Sequence, residues 1–275
     1  MGPHRACRIG VLILIAMLAT GVRAQPSERI VVDGSTGTMP LVVALAKAYQ
    51  ERNPAARVEM GKGLGTKARL QALAEGRIDI ALASHGLVAG ELARQGMVAH
   101  EIAKVAVVFG VNVSVPVTNL TDRQICGVYA GTIANWRELG GPDLAIAPLT
   151  RPDSEVDAEV VKDKIACLKD VKLAGVVKVM PRSGDMAKAL AGGVGAIGMT
   201  TTTVVEQSRS QIKSVALNGV LPSAENVERG IYTLTRDSFL VTKAPPLPAV
   251  SRFVDFIRSA AGASVIVANG AAPVK

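Results

Sequence analysis

The stretch VVDGSTGTMPLVVAL, residues 31–45, runs from β-branched residues through a loop of Gly34, Ser35, Thr36, Gly37 and Thr38 into a helical pattern. Leu41, Leu45, Ala48 and Tyr49 then recur at helix spacing until Asn53-Pro54 stops the run. Strand, glycine-rich turn and helix in that order form the repeating unit of an α/β fold. The loop itself has two readings. Thr36 or Thr38 caps the helix, which needs only one such residue. Alternatively, three hydroxyls with Gly34 and Gly37 form a wall of a ligand site, where bare helix N–H groups donate and glycine lets a ligand approach the backbone. Several donors in a row favour the site, and the two readings are compatible.

The unit recurs downstream. Residues 57–60 read as a short strand, GKGLGT (61–66) as a second glycine-rich turn, and KARLQALAEG as a helix whose apolar face is Leu70, Leu73 and Ala74. IDIALAS (78–84) reads as a buried strand, which together with the helices points to a parallel sheet. The pattern changes at AKVAVVFGVNVSV (103–115), a long valine-rich extended segment. Thr121 stands three residues before Gln124, the signature of a capping box. Trp136 reads as core, LAIAPLTR as a strand ending at Arg151, and the residues from Ser154 toward Leu168 as a helix. In that helix Ser154 and Asp157 have capping-box spacing. Arg182 and Ser183 begin a further helical stretch, and GIYTLTRDSFLVTK (230–243) is a second strand-like region. The extended segments 103–115 and 226–243 are best explained as connections between two lobes.

The chain has 275 residues, 49% hydrophobic and 20% charged, enough for one large or two modest cores. Residues 1–24 carry Arg5 and Arg8, an apolar run from Ile9 to Ala19, and Val22-Arg23-Ala24, which reads as a secretory leader cut after Ala24. A membrane anchor would need about 20 apolar residues. With the leader removed, 28 of the 31 basic residues face 23 acidic ones, a net charge of +5. That charge is scattered, and 3% aromatic residues offer no platform for nucleic acid, so none is expected as a partner. Cys126 and Cys167 survive cleavage; export permits a bridge, and buried free cysteines are an equal alternative. No metal-ligand spacing or nucleophile elbow is present, so neither cofactor, metal nor catalysis is expected.

GSTGTMPLVVALAKAYQERNP, GKGLGTKARLQAL, GRIDIALAS, LTDRQICGVYAGTIANWRELGG, GVGAIGM and IYTLTRDSFLVTK, in this order and spacing, resemble the periplasmic phosphate-type substrate-binding proteins of ABC transporters. The resemblance implies a two-lobed α/β fold of the type II periplasmic-binding-protein kind, with two crossover strands as a hinge and a ligand in the cleft. It places lobe 1 at residues 25–108 plus 231–275 and lobe 2 at 109–230. The partners implied are a small anionic or anion-bearing solute and an inner-membrane ABC permease, for a monomer in the periplasm.

The resemblance also implies the site, element by element. Ser35, Thr36, Gly37 and Thr38 match the family's first anion loop. In the second turn Leu64 stands where the family has a ligating serine, leaving Gly65 and Thr66; Lys62 reads as a solvated surface charge. His85 stands where phosphate-specific relatives carry an aspartate, and histidine can donate, accept and titrate near neutrality. Arg151 matches the family's arginine, but the serine-glycine-threonine turn after it becomes Glu155-Val156-Asp157. Glu155 facing inward would oppose a phosphate dianion at about 4 kcal/mol for charges 4 Å apart in an effective dielectric of 20. Arg182 is a secondary candidate. The sequence thus supports a receptor for a small oxyanion or anion-bearing solute, with a periplasmic sensor or adaptor for a carboxylate or zwitterion as the alternative.

Overall fold

The computed structural model describes Gly2, residues 28–85 and residues 87–274. The leader and its cut after Ala24 lie outside the described residues, Gly2 aside. The elements run β1 (Glu28–Gly34), α1 (Met39–Arg52), β2 (Ala56–Met60), α2 (Thr66–Ala74), β3 (Ile80–Ala83), α3 (Ala89–Arg94), β4 (Met97–Asn112), β5 (Asn119–Leu120) and α4 (Asp122–Ala130). After a 3-10 turn at Trp136–Leu139 come β6 (Ala147–Thr150), α5 (Val156–Lys164), α6 (Ala166–Lys169), β7 (Lys178–Val179), α7 (Ser183–Gly192), β8 (Ala196–Thr201) and α8 (Thr202–Gln207). The chain continues through β9 (Ile212–Ser214), β10 (Ala216–Leu217), α9 (Ala224–Glu228), β11 (Thr235–Lys243), α10 (Pro248–Arg258), α11 (Ala260–Ala268) and β12 (Ala271–Pro273).

One sheet runs through the molecule in the order β2-β1-β3-β11-β4-β8-β6-β7, with β9 and β12 also on β4. It has two halves because β4 is long enough to serve both. Met97 to Ala106 pair with β11, and Val107 to Val111 pair with β8. Strands within each half are parallel, β1 with β2 and β3, and β6 with β7 and β8. The expected parallel sheet is nevertheless a mixed one. β11 lies antiparallel to both β3 and β4, and β4 lies antiparallel to β8, since the chain leaves the first half along β4 and returns along β11. The crossovers also start elsewhere than read from the sequence: β4 at Met97, and β11 at Thr235, because residues 224–228 form α9 behind a Ser223 cap.

Each half is covered on both faces. In β3, Ile80 and Leu82 enter one apolar layer with Leu41, Leu45 and Phe253, while Ala81 and Ala83 enter another with Leu73 and Met97, as a two-residue side-chain period requires. In β8, Ile197 and Met199 join the layer holding Tyr129 and Trp136, and Ala196 joins the one holding Met186 and Leu190. Each large aliphatic side chain so buried contributes about 1.5–3 kcal/mol. Trp136 is core as expected, its Nε1 donating to Gly195 O at 2.9 Å. The Thr121–Gln124 capping box starts α4, and a Cys126–Cys167 disulfide joins α4 to α6 with Cα atoms 6.1 Å apart. Among the described residues no helix is long and apolar enough to cross a membrane.

β1, β2 and β3 point the same way, so the loops after Gly34, Met60 and Ala83 converge at their carboxyl ends. That edge is where open α/β sheets bind ligands. The loops after β6 and β7 face it from the other half.

Candidate anion-binding site

The first two glycine-rich loops are stitched into one surface. The Asp33 carboxylate accepts from Gly34 N at 2.7 Å and Gly63 N at 2.8 Å, and Leu64 N donates to Gly34 O at 2.9 Å. Gly63 has φ +103°, and a Cβ there would press on the Thr36 methyl, so this turn requires glycine. Thr38 takes the N-cap position of α1 but makes no side-chain cap; its buried hydroxyl donates to Ala83 O at 3.4 Å and ties the helix to β3. Ser35 Oγ lies 3.4 Å from Ser84 Oγ, which draws the third loop into the same wall.

A cavity of about 360 Å³ lies against this wall. Ser35, Thr36, Leu64, Gly65, Thr66 and His85 line it from the first half, and Glu155 and Arg182 line it from the second. Gly37, Thr38 and Arg151 stand behind the lining. Gly37 has its own reason: a Cβ there would fall on the Arg236 guanidinium. Arg151 is 2% exposed; its Nη1 donates to Met180 O at 2.7 Å and its Nη2 to Glu155 Oε2 at 2.8 Å, while its Nε has no hydrogen-bond partner among the described residues and lies 3.9 Å from Asp157 Oδ2.

The expected Ser154–Asp157 capping box does not form. Glu155 occupies the N-cap of α5 without a side-chain cap. Asp157 instead turns inward, where two guanidinium groups compete for it, and Arg236 Nη1 donates to its Oδ1 at 2.9 Å.

Two cavity arginines were not singled out from the sequence. Arg69 in α2 is 2% exposed; its Nη2 donates to His85 O at 2.8 Å, and its Nε has no partner among the described residues. Arg236 in β11 is 5% exposed and has Nε and Nη2 unpartnered. Burial without a carboxylate partner pulls the Arg69 value below the usual guanidinium range, and such a cation is costly unless an anion meets it. The signals were present. Arg69 shares the helix face of Ala72 and Leu73, which are the buried residues of α2 in place of Leu70 and Ala74. Arg236 is in phase with Ser238 and Leu240, the inward row of β11. Gly34, Gly63, Ser84, Ser154, Val156 and Pro181 complete the lining.

Three guanidinium groups (Arg69, Arg151, Arg236) are balanced by three carboxylates (Asp33, Glu155, Asp157), and exposed Arg182 adds a positive charge at the rim. The helix starts in the wall reinforce it: α2, α5 and α7 begin at Gly65, Glu155 and Arg182 with no side-chain cap. Away from the cavity, α4, α8, α9 and α11 are capped by Thr121, Thr201, Ser223 and Ser259, while α3, α6 and α10 have no side-chain cap. Uncapped N–H groups, hydroxyls and unpaired arginine donors around one cavity form a receptor for a small anion.

Comparison with known proteins agrees with this geometry. Residues 21–261 match the model of the PBP superfamily domain, and the chain belongs to that superfamily. It is 27% identical over 237 residues to the phosphate-binding protein PstS of Bacillus subtilis, covering 85% of this chain and 76% of that one. The crystal structure of a putative phosphate ABC transporter substrate-binding protein with bound phosphate from Clostridium perfringens is 28% identical, with a TM-score of 0.72 over 90% of this chain and all of that one. An ABC-type phosphate transport receptor from Vibrio cholerae is 26% identical, with a TM-score of 0.58 over 88% of this chain and 99% of that one. The two-lobed periplasmic-binding-protein architecture expected from the sequence is thus the fold of this chain.

Proposed function

We propose that this protein is a periplasmic receptor that holds phosphate, or an oxyanion like it, between its lobes and delivers it to an ABC permease in the inner membrane. The observation that carries the reading is that two buried arginines, Arg69 and Arg236, line the cavity while Arg69 Nε and Arg236 Nε and Nη2 have no partner among the described residues. The names of the relatives point the same way. The charge objection raised by Glu155 loses its force because that carboxylate is held by Arg151 at 2.8 Å. Ser35, Thr36, Thr66 and Ser84 supply hydroxyls, and the starts of α2, α5 and α7 supply N–H groups. The ligand meets Arg69 and Arg236 directly, with Arg151 acting behind Glu155. Residues 25–108 plus 231–275 and residues 109–230 form the lobes that close on it, β4 and β11 serve as the hinge, and the mature monomer begins after Ala24.

Isothermal titration of the mature protein with phosphate, sulfate, short carboxylates and amino acids tests this. Phosphate binding that is lost in Arg236→Ala and Arg69→Ala is the expected result. Binding of a carboxylate or amino acid with no response to phosphate overturns it.

A further inference from the structure

We infer that the site takes a ligand with two anionic groups, as a diphosphate has: one group fills the cleft cavity and the other occupies a vestibule at its mouth. This inference rests on the oxyanion reading and deepens it. A second cavity of about 370 Å³ adjoins the first, and Thr36 and Arg182 line both. Lys62, in the turn between β2 and α2, and Lys188, in α7, line the second alone, and both are exposed. Among the described residues neither lysine nor Arg182 has an ion-pair partner, and Asp185 is the one carboxylate in the vestibule lining.

The backbone holds these cations in place. Gly61 N donates to Val32 O and Gly63 N to Asp33 Oδ1, each at 2.8 Å, so the chain on both sides of Lys62 is pinned to β1. Gln207 Nε2 donates to Pro40 O at 3.0 Å, and both residues line the vestibule, so the half carrying α7 and α8 is tied across it to the start of α1. Arg182 takes the N-cap position of α7, where the helix's own N–H groups are positive and a cation works against helix stability. Lys62 from one half, with Arg182 and Lys188 from the other, thus present like charges to one space, a repulsion that an anion between them removes. Deeper in the cleft the guanidinium groups of Arg69, Arg151 and Arg236 are matched by Asp33, Glu155 and Asp157, so the surplus positive charge lies at the mouth. Exposed cations also steer any anion toward a cleft, whatever its size. The two roles serve different ligands: steering speeds the arrival of every anion, whereas contact with a second anionic group strengthens only a ligand that has one.

Titration calorimetry of the mature protein with inorganic phosphate, inorganic diphosphate and methylenediphosphonate, which cannot hydrolyse to phosphate, is the test. A salt concentration of about 0.15 M screens exposed charges more than a Debye length apart and so suppresses steering. Diphosphate and methylenediphosphonate should each bind and compete with phosphate. Lys62→Gln combined with Lys188→Gln should weaken both by about tenfold, as the loss of two exposed ion pairs does, and leave phosphate affinity nearly unchanged. Phosphate binding without diphosphate binding overturns the inference, as does a double variant that keeps diphosphate at wild-type affinity. Equal losses for phosphate and diphosphate also overturn it, because they assign the lysines to steering alone. A wild-type protein that binds none of the three overturns the oxyanion reading itself. Circular dichroism melts confirm that the double variant is folded.

Discussion

Arg236 Nη1 donates to Asp157 Oδ1 across 2.9 Å, and the two side chains are only 3% and 4% exposed. The bond ties the crossover strand β11 to the first turn of α5, and it leaves Nε and Nη2 of the same guanidinium without a partner among the described residues. Asp157 also lies 3.9 Å from Arg151, so one carboxylate balances two cations. Asp157→Asn keeps the shape and removes the charge. Breaking a buried pair on one side costs about 3–5 kcal/mol, and a bound oxyanion would restore part of the missing negative charge. The variant should therefore melt lower than wild type and gain more degrees from saturating phosphate, by differential scanning fluorimetry. Equal gains would mean that the pair is not coupled to the ligand.

Gly37→Ala tests the packing of the same arginine. The added Cβ falls on the guanidinium, which has to move because the loop backbone behind it is held by Ser35 N on Leu82 O at 2.9 Å. A misplaced positioning group commonly costs two orders of magnitude in function, so phosphate affinity should drop at least tenfold with a modest change in melting temperature. Unchanged affinity would show that Arg236 has another position from which it serves the ligand.

The alternation of strand, glycine-rich turn and helix was legible because side-chain periods and glycine positions record it locally, and the matched motif order carried the two-lobed architecture. The direction of β11 was not legible, since strand sense follows from where the chain must return. Of the cavity lining, Ser35, Thr36, Leu64, His85 and Glu155 could be singled out from the sequence because they sit in short contiguous motifs. Arg69 and Arg236 were missed because each lies inside a regular element, where an arginine is ordinarily taken for a solvent-facing residue. Only its phase with buried neighbours (Ala72 and Leu73 for one, Ser238 and Leu240 for the other) marks it as inward.

Arg151 has a different role from the two cavity arginines, and its variants should separate the two kinds of effect. Arg151→Met leaves Glu155 unpaired at the cavity wall, where at 4 Å in a dielectric of 20 it would oppose a monovalent anion by about 4 kcal/mol. The single variant should lose both stability and phosphate affinity. Adding Glu155→Gln should recover most of the affinity and little of the stability, since the Met180 carbonyl still lacks its donor. A double-mutant cycle read by calorimetry gives the coupling. If the second change recovers nothing, Arg151 reaches the ligand itself.

The Cys126–Cys167 bridge closes a loop with a sequence separation of 41 residues around the 3-10 turn and β6. Chain-entropy arguments for a loop of that size give about 4 kcal/mol of stabilisation. Cys126→Ser with Cys167→Ser should lower the urea midpoint accordingly and leave phosphate affinity near wild type, because neither residue lines the cavity. A midpoint unchanged on reduction or substitution would contradict the bridge as a stabilising element.

His100 sets a pH dependence of stability away from the ligand. Its Nε2 lies 3.1 Å from Thr242 Oγ1, whose own hydroxyl donates to Lys243 O at 3.1 Å, and its Nδ1 lies 3.3 Å from an Arg258 guanidinium nitrogen. Arg258 can only donate, so Nδ1 accepts and the folded ring is neutral with its proton on Nε2. Burial, reinforced by the Arg258 charge and opposed by Asp255, holds the folded value below the ordinary histidine value. The unfolded state therefore binds the proton first as pH falls. The stabilisation is complete above the ordinary value of about 6.5 and is lost as pH drops through the lower folded value. His100→Gln removes this contribution. Urea unfolding between about pH 7 and about pH 5 should show wild type losing more stability than the variant, and parallel losses would mean that His100 binds its proton equally well in the folded and unfolded states.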